Sequence, residues 1–178
     1  MPNNVLGTTL FVVTEIMFFT ALISAYLVIR SGAGFWAPPT DVRLPIVATT
    51  LNTMILFASG IMTQLAIVAF KKDATGESAK TRWFWAILLG TFFVVFQGYE
   101  WIQLIKYGMT LTTSVFSSCF FLLIGSHALH ALSAVIAMLF VFRWILKGEA
   151  QLDQLRSMQI YWYFVVSVWP FLYLLVYF

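Results

Sequence analysis

Between Val5 and Arg30 the chain reads VLGTTLFVVTEIMFFTALISAYLVIR, an apolar run broken near its middle by one carboxylate, Glu15. About 25 such residues are enough to cross a bilayer as a single helix. At a rise of about 1.5 Å per residue, Glu15 lies roughly 15 Å from the nearer end, in hydrocarbon where an unpaired carboxylate costs several kcal/mol. It needs a partner, a proton or a cavity. Of the 178 residues, 61% are hydrophobic and 10% charged, so the chain is an integral membrane protein with no stretch long enough for a soluble domain.

Four further apolar stretches follow. The hydropathy pattern predicts an all-α bundle of five transmembrane helices in one domain, residues 1–178, with spans at about 5–30, 45–70, 83–105, 113–144 and 158–178. Between the first two, Ser31–Leu44 is expected to be a loop, because Gly32, Gly34 and the Pro38-Pro39 pair cannot continue a helix, with Phe35 and Trp36 at the headgroup level. The second span carries Thr49, Thr50, Asn52, Thr53, Ser59, Thr63 and Gln64, too many polar groups for a surface facing lipid, so they are expected to pack against neighbouring helices. Lys71–Arg82 is the one clearly hydrophilic loop, and Pro170 is expected to kink or loosen the last helix and free a carbonyl one turn earlier.

Basic residues orient such a bundle. Lys71, Lys72, Lys80, Arg82, Arg143, Lys147 and Arg156 fall on the side of the N-terminus, and Arg30, Arg43 and Lys106 on the other. That bias predicts the N-terminus inside and the C-terminus outside. The excess of basic over acidic residues therefore anchors spans and gives no ground for nucleic-acid binding. The opening residues lack the charged region and cleavage site of a signal peptide, so the first run is expected to be retained. Cys119 is the single cysteine, which leaves no disulfide within the chain and no cysteine pair for a metal. No internal repeat is evident, which disfavours a transporter built from inverted halves.

Few residues could carry chemistry. Glu15 is flanked by Phe11, Val12, Phe18 and Phe19, with Thr8 the only local donor; it reads either as a proton-exchanging carboxyl or as a neutral acid bonded across a helix interface. Gln97, Glu100 and Gln103 form a polar stripe on the third span, most simply a satisfied seam. In GSHALHAL, His127 and His130 lie three apart on a face of small residues, expected to turn both rings into protein and to hydrogen-bond between helices. Two histidines on one helix make a poor metal shell, although Glu15 or Glu100 could in principle complete one. Phosphate loops, nucleophile elbows, CxxC and HExxH motifs are missing, so no catalytic site and no cofactor is expected within the chain.

Five blocks, in order and covering nearly the whole chain, resemble subunit III of the haem-copper respiratory oxidases. They are TEIMFFTALISAY (14–26) with its carbodiimide-reactive type of glutamate, Leu44-Pro45 followed by Asn52-Thr53, Gln97–Trp101, GSHALHAL and YWYFVVSVWPFLY. The resemblance implies an accessory subunit without haem or copper of its own, packed against catalytic subunit I and subunit II of a proton-pumping oxidase in a bacterial inner membrane. It further implies that the chain supports proton uptake, protects the catalytic subunit during turnover and holds phospholipid between its helices. The family position of Glu15 is the carbodiimide-reactive carboxyl. Many members have seven spans, and where the first two are missing a partner subunit can supply them. Tyr163 stands where the family usually has His and Ser167 where it has Asp, departures that weigh against a polar network reaching into the last helix; Tyr163 is expected, with Gln97, His127 and His130, to be an interhelical polar residue. Quinol oxidases and a nitric oxide reductase system contain related subunits, and a small proton-coupled transporter using Glu15 and the histidines is the alternative of a different class.

Overall fold

A computed structural model describes residues 2–34, 36, 45–72 and 76–177. It is all-helical over these residues: α1 (Asn3–Gly32), α2 (Ile46–Lys72), α3 (Glu77–Lys106), α4 (Val115–Lys147) and α5 (Leu152–Tyr177). Each is long and apolar enough to cross a membrane. The helices outrun the apolar stretches at their charged ends. α3 begins with Glu77–Arg82, part of the expected hydrophilic loop, and α5 begins with Leu152–Ser157. Most of the expected Ser31–Leu44 loop, with Phe35, Pro38, Pro39 and Arg43, lies outside the described residues, as do Leu44 of the second family block and Asp73–Thr75. Trp36 is described; its indole nitrogen donates to the Tyr26 hydroxyl at 3.3 Å.

Helix ends follow the local chemistry. The Ser114 side chain accepts from the Ser117 amide and starts α4, and Gly148, at a φ of 72° that favours glycine, closes it. At the end of α5, the Leu175 carbonyl accepts from the Tyr26 hydroxyl at 3.1 Å and from Arg30 at 3.3 Å, so a cation of α1 meets the negative pole of α5. Pro170 sits within a continuous α5.

α5 is the hub, packed on α1, α2 and α4, while α2 and α3 form the most extensive pair and α3 also packs on α4. Cross-helix bonds show that α2 runs antiparallel to both α3 and α5. Ser59 donates to the Ala86 carbonyl and Asn52 to the Phe93 carbonyl, while Trp162 donates to Ser59 and Trp169 to Thr53. Most of the polar residues of α2 are thus spent inside the bundle: Thr49, Asn52, Thr53, Ser59 and Thr63 are buried, while Thr50 is half-buried and Gln64 is exposed. In hydrocarbon this is how helices hold together, by close packing and by bonds that leave no polar atom to lipid.

α1 is attached by a narrow seam. Its buried residues are Val5, Val12, Phe19 and Tyr26, one every seven positions, with Thr8, Glu15 and Leu22 partly buried three residues after the first three. That is the spacing of a left-handed helix–helix contact. Most of the rest of α1 is apolar and exposed.

The tightest approach lies where the Trp162 ring crosses α3. A Cβ on Gly90 would stand 2.9 Å from the ring and 3.4 Å from Ser59 Oγ. Trp162 is fully buried and cannot retreat without breaking its bond to Ser59. Gly90→Ala is therefore expected to destabilise the bundle by about 1–3 kcal/mol, read as a lower unfolding midpoint in detergent, whereas Gly98→Ala, whose Cβ meets nothing within 4 Å, is expected to leave it close to unchanged.

Candidate functional site

The α1 seam carries the acid. Because Val12 and Phe19 face the bundle, Glu15 between them must face it too, and there it meets α4: its Oε2 lies 2.8 Å from His130 Nε2. Thr8, the local donor suggested by the sequence, instead donates to the Asn4 carbonyl. The two side chains are mostly covered, with 17% and 16% of their surfaces exposed. Phe18 and Phe19 pack on the imidazole, with ring centroids at 5.9 and 5.1 Å.

The other ring nitrogen settles the chemistry of the pair. His130 Nδ1 is 2.6 Å from the Ser126 carbonyl oxygen, which can only accept, so Nδ1 carries a hydrogen. Nε2 then either accepts from a protonated Glu15 or, as imidazolium, donates to its carboxylate. A single proton moves between these two states without displacing a heavy atom. Ser133 donates to the His130 carbonyl and lies 2.9 Å from the Tyr161 hydroxyl, tying the same turn of α4 to α5.

Glu100 is built differently. It is buried at the end of the bundle where α3 stops, with Thr49 Oγ1 of α2 at 3.1 and 3.3 Å from its two oxygens. Thr49 Oγ1 is also 2.9 Å from the Pro45 carbonyl. One hydroxyl proton serves one of them at a time, so when Thr49 donates to Pro45, Glu100 can bond it only as a carboxylic acid. Gln97, one turn away and equally buried, lies within reach of Glu100 and of the Tyr177 hydroxyl, yet neither contact has hydrogen-bond geometry. Gln103, the third member of the stripe, is only partly buried.

Histidines 127 and 130 part company. His130 makes the interhelical bond expected of both; His127, 1% exposed, makes none, and stacks at 5.0 Å on Trp169 with Phe93 and Phe19 around it. Spacing put them on one stripe, but residues three apart still point about 60° apart around a helix of 3.6 residues per turn, enough to set one ring against Glu15 of α1 and the other against Trp169 and Phe93. Tyr163 also departs from expectation: its hydroxyl accepts from Gln159 on its own helix, and Gln159 makes the cross-helix bond, to Gln64 of α2. No group of three or more His, Cys, Asp or Glu close enough to hold a metal occurs among the described residues.

Sequence reasoning missed the partners rather than the acids. Thr49, His130 and Tyr161 each lie far along the chain from what they touch. One signal was available: the seven-residue spacing of Val5, Val12, Phe19 and Tyr26 already sets Glu15 on the inner face of α1.

The chain matches known proteins over nearly its whole length. Residues 3–178 match the family model described as Cytochrome c oxidase subunit III. The chain is similar to cytochrome c oxidase subunit 3 of Corynebacterium diphtheriae, 35% identical over 99% of this chain and 89% of that protein. It is also similar to the probable cytochrome c oxidase subunit 3 of Mycobacterium leprae, 33% identical over 99% and 89%. The cytochrome c oxidase subunit 3 of Thermostichus vulcanus is 32% identical over 98% and 86%. With a five-helix membrane bundle, the ordered sequence blocks and a family match over nearly every residue, the chain belongs to the cytochrome c oxidase subunit III family.

Proposed function

We propose that the chain is the accessory subunit III of a bacterial cytochrome c oxidase, packed in the cell membrane against subunits I and II, which carry the haem and copper. The family match along 3–178 carries this reading. Its own contribution is to support proton uptake and to prolong the working life of the catalytic subunit. The group best suited to that role is the Glu15–His130 pair, because it holds one mobile proton at mid-depth between α1 and α4.

The basic-residue bias supports an N-terminus facing the cytoplasm. At that end a cavity of about 530 Å³ separates α1 from α4 and α5, walled by Phe11, Phe140, Trp144 and Tyr161 with Asn4 and Gln154 among its polar groups. An apolar slot with aromatic and polar groups at an interface suits a phospholipid, and Arg143, Lys147 and Arg156 on the neighbouring helix ends favour an anionic headgroup.

The pairing predicts an order of stability. Glu15→Leu leaves His130 Nε2 without a partner and is expected to cost about 1–3 kcal/mol; Glu15→Gln, whose amide still donates to Nε2, costs less. Glu15→Leu combined with His130→Leu is expected to cost less than the sum of the two single changes, as coupled neighbours do. Unfolding midpoints of the four variants check this.

The functional reading predicts that Glu15→Gln in the assembled oxidase leaves the haem spectrum unchanged but shortens the time over which oxygen consumption is sustained. A hydrophobic carbodiimide is expected to label Glu15 in preference to Glu77 and Asp153 at the helix starts and Glu149 between helices, as read by mass spectrometry. An unchanged turnover lifetime would leave the subunit a purely structural part.

A further inference from the structure

Seven buried polar atoms make no hydrogen bond among the described residues: Asn52 Oδ1, both amide atoms of Gln97, Trp101 Nε1, both ring nitrogens of His127 and the Tyr177 hydroxyl. Five of the seven belong to one place. Gln97, Trp101 and His127 line a single cavity of about 300 Å³ between α3 and α4. Asn52 lies behind Phe93, whose carbonyl it bonds through Nδ2 and whose ring packs on His127, and is not part of the cavity wall. Tyr177 approaches Gln97 from α5. Elsewhere in the bundle the buried indoles are satisfied, Trp83 by the Met138 carbonyl, Trp162 by Ser59 and Trp169 by Thr53.

The cavity has a cause in the sequence. Gly98 of α3 and Gly125 of α4 both line it. A Cβ on Gly98 would meet nothing within 4 Å, and one on Gly125 would meet only the Trp101 ring, at 3.2 Å. Two glycines on facing helices leave the space that side chains would fill.

We propose that this cavity is a hydrated site, in which a small cluster of waters is held by His127, Trp101 and Gln97. Trp101 can only donate, a neutral His127 offers one donor and one acceptor, and Gln97 offers both; water complements all three. A water takes about 30 Å³ of liquid volume, so the space holds several, each needing two or more polar partners. A lipid chain entering past Leu129 and Leu132 would fill the space and meet none of these needs. No carboxylate lines the cavity, which leaves it without the charge that would hold a cation.

Hydroxyl-radical footprinting by X-ray pulse, in ¹⁸O-water, on the purified complex containing the chain in lipid nanodiscs tests this. Trp101 is expected to take up ¹⁸O, whereas Trp83 and Trp162, fully buried and satisfied, and Phe92, more open to lipid than the partly buried Trp101, are not. Gly98→Leu, which fills the cavity from its wall, is expected to abolish the Trp101 label and leave that of loop residue Tyr107 unchanged. Labelling of Trp101 no greater than that of Trp162, or a label that survives Gly98→Leu, overturns the proposal. If Gly98→Leu does not assemble, Gly98→Ala, whose added methyl meets nothing within 4 Å, takes its place: a Trp101 label lower than in the parent chain supports the proposal, and one equal to it overturns it.

Discussion

At one point in the bundle interior, Trp162 of α5 lays its ring on Gly90 of α3 and gives its N–H to Ser59 of α2, which passes a hydrogen to the Ala86 carbonyl of α3. Three helices are fixed there by one large ring, one missing side chain and one small hydroxyl. The arrangement follows from the solvent. Apolar side chains gain little by leaving lipid for protein, so association has to come from fit and from bonds that hydrocarbon cannot offer. The threonines and serine of α2 do for α3 and α5 what water does in a soluble protein. Thr53 accepts from Trp169 while donating to the Thr49 carbonyl, and Thr49 reaches Glu100. Thr53 and Thr49, one turn apart on α2, thus hold an indole of the hub helix and a buried acid of α3.

α1 stands apart from these bonds. It is held by four residues at seven-residue spacing and by the cap that Tyr26 and Arg30 place on the end of α5, and its contact with α4 is slight. The Glu15–His130 bond is consequently a large part of what ties α1 to α4. A pair that both holds a proton and joins two weakly packed helices is sensitive to either role: a change in its protonation alters the join, and a shift of α1 alters the proton's surroundings. This coupling gives a physical reason for one mid-depth carboxyl to matter in a chain of the subunit III family.

The helices were legible because a bilayer demands long apolar runs and a loop demands glycine, proline or charge; the five stretches and the inward polar face of α2 follow from those rules. Partners were not legible. The sequence shows that Glu15 needs one and that His130 is polar on a face of small residues, but nothing local connects positions 115 residues apart. His127 shows the limit from the other side. Its motif and spacing match His130 closely, yet its ring lies among Trp169, Phe93 and Phe19, because angular position on α4 is set by which helices flank it. Tyr163 likewise sits where an interhelical contact was expected, but Gln159 one turn earlier makes that contact.

The two intramembrane acids thus answer the same energetic problem in different ways. Glu15 faces a base, so its proton has two resting places a hydrogen bond apart, and charge can appear on both partners together. Glu100 faces a hydroxyl that is also committed to a backbone carbonyl, so its ionised form is served by one shared donor and its neutral form can supply the missing bond itself. A base opposite an acid permits proton exchange without net charge entering the hydrocarbon; a hydroxyl opposite an acid can bond either form, as donor or as acceptor, but does not take its proton. The first suits a group that gives and takes protons as the complex works, and the second suits a join between α2 and α3, the most extensive helix pair in the bundle.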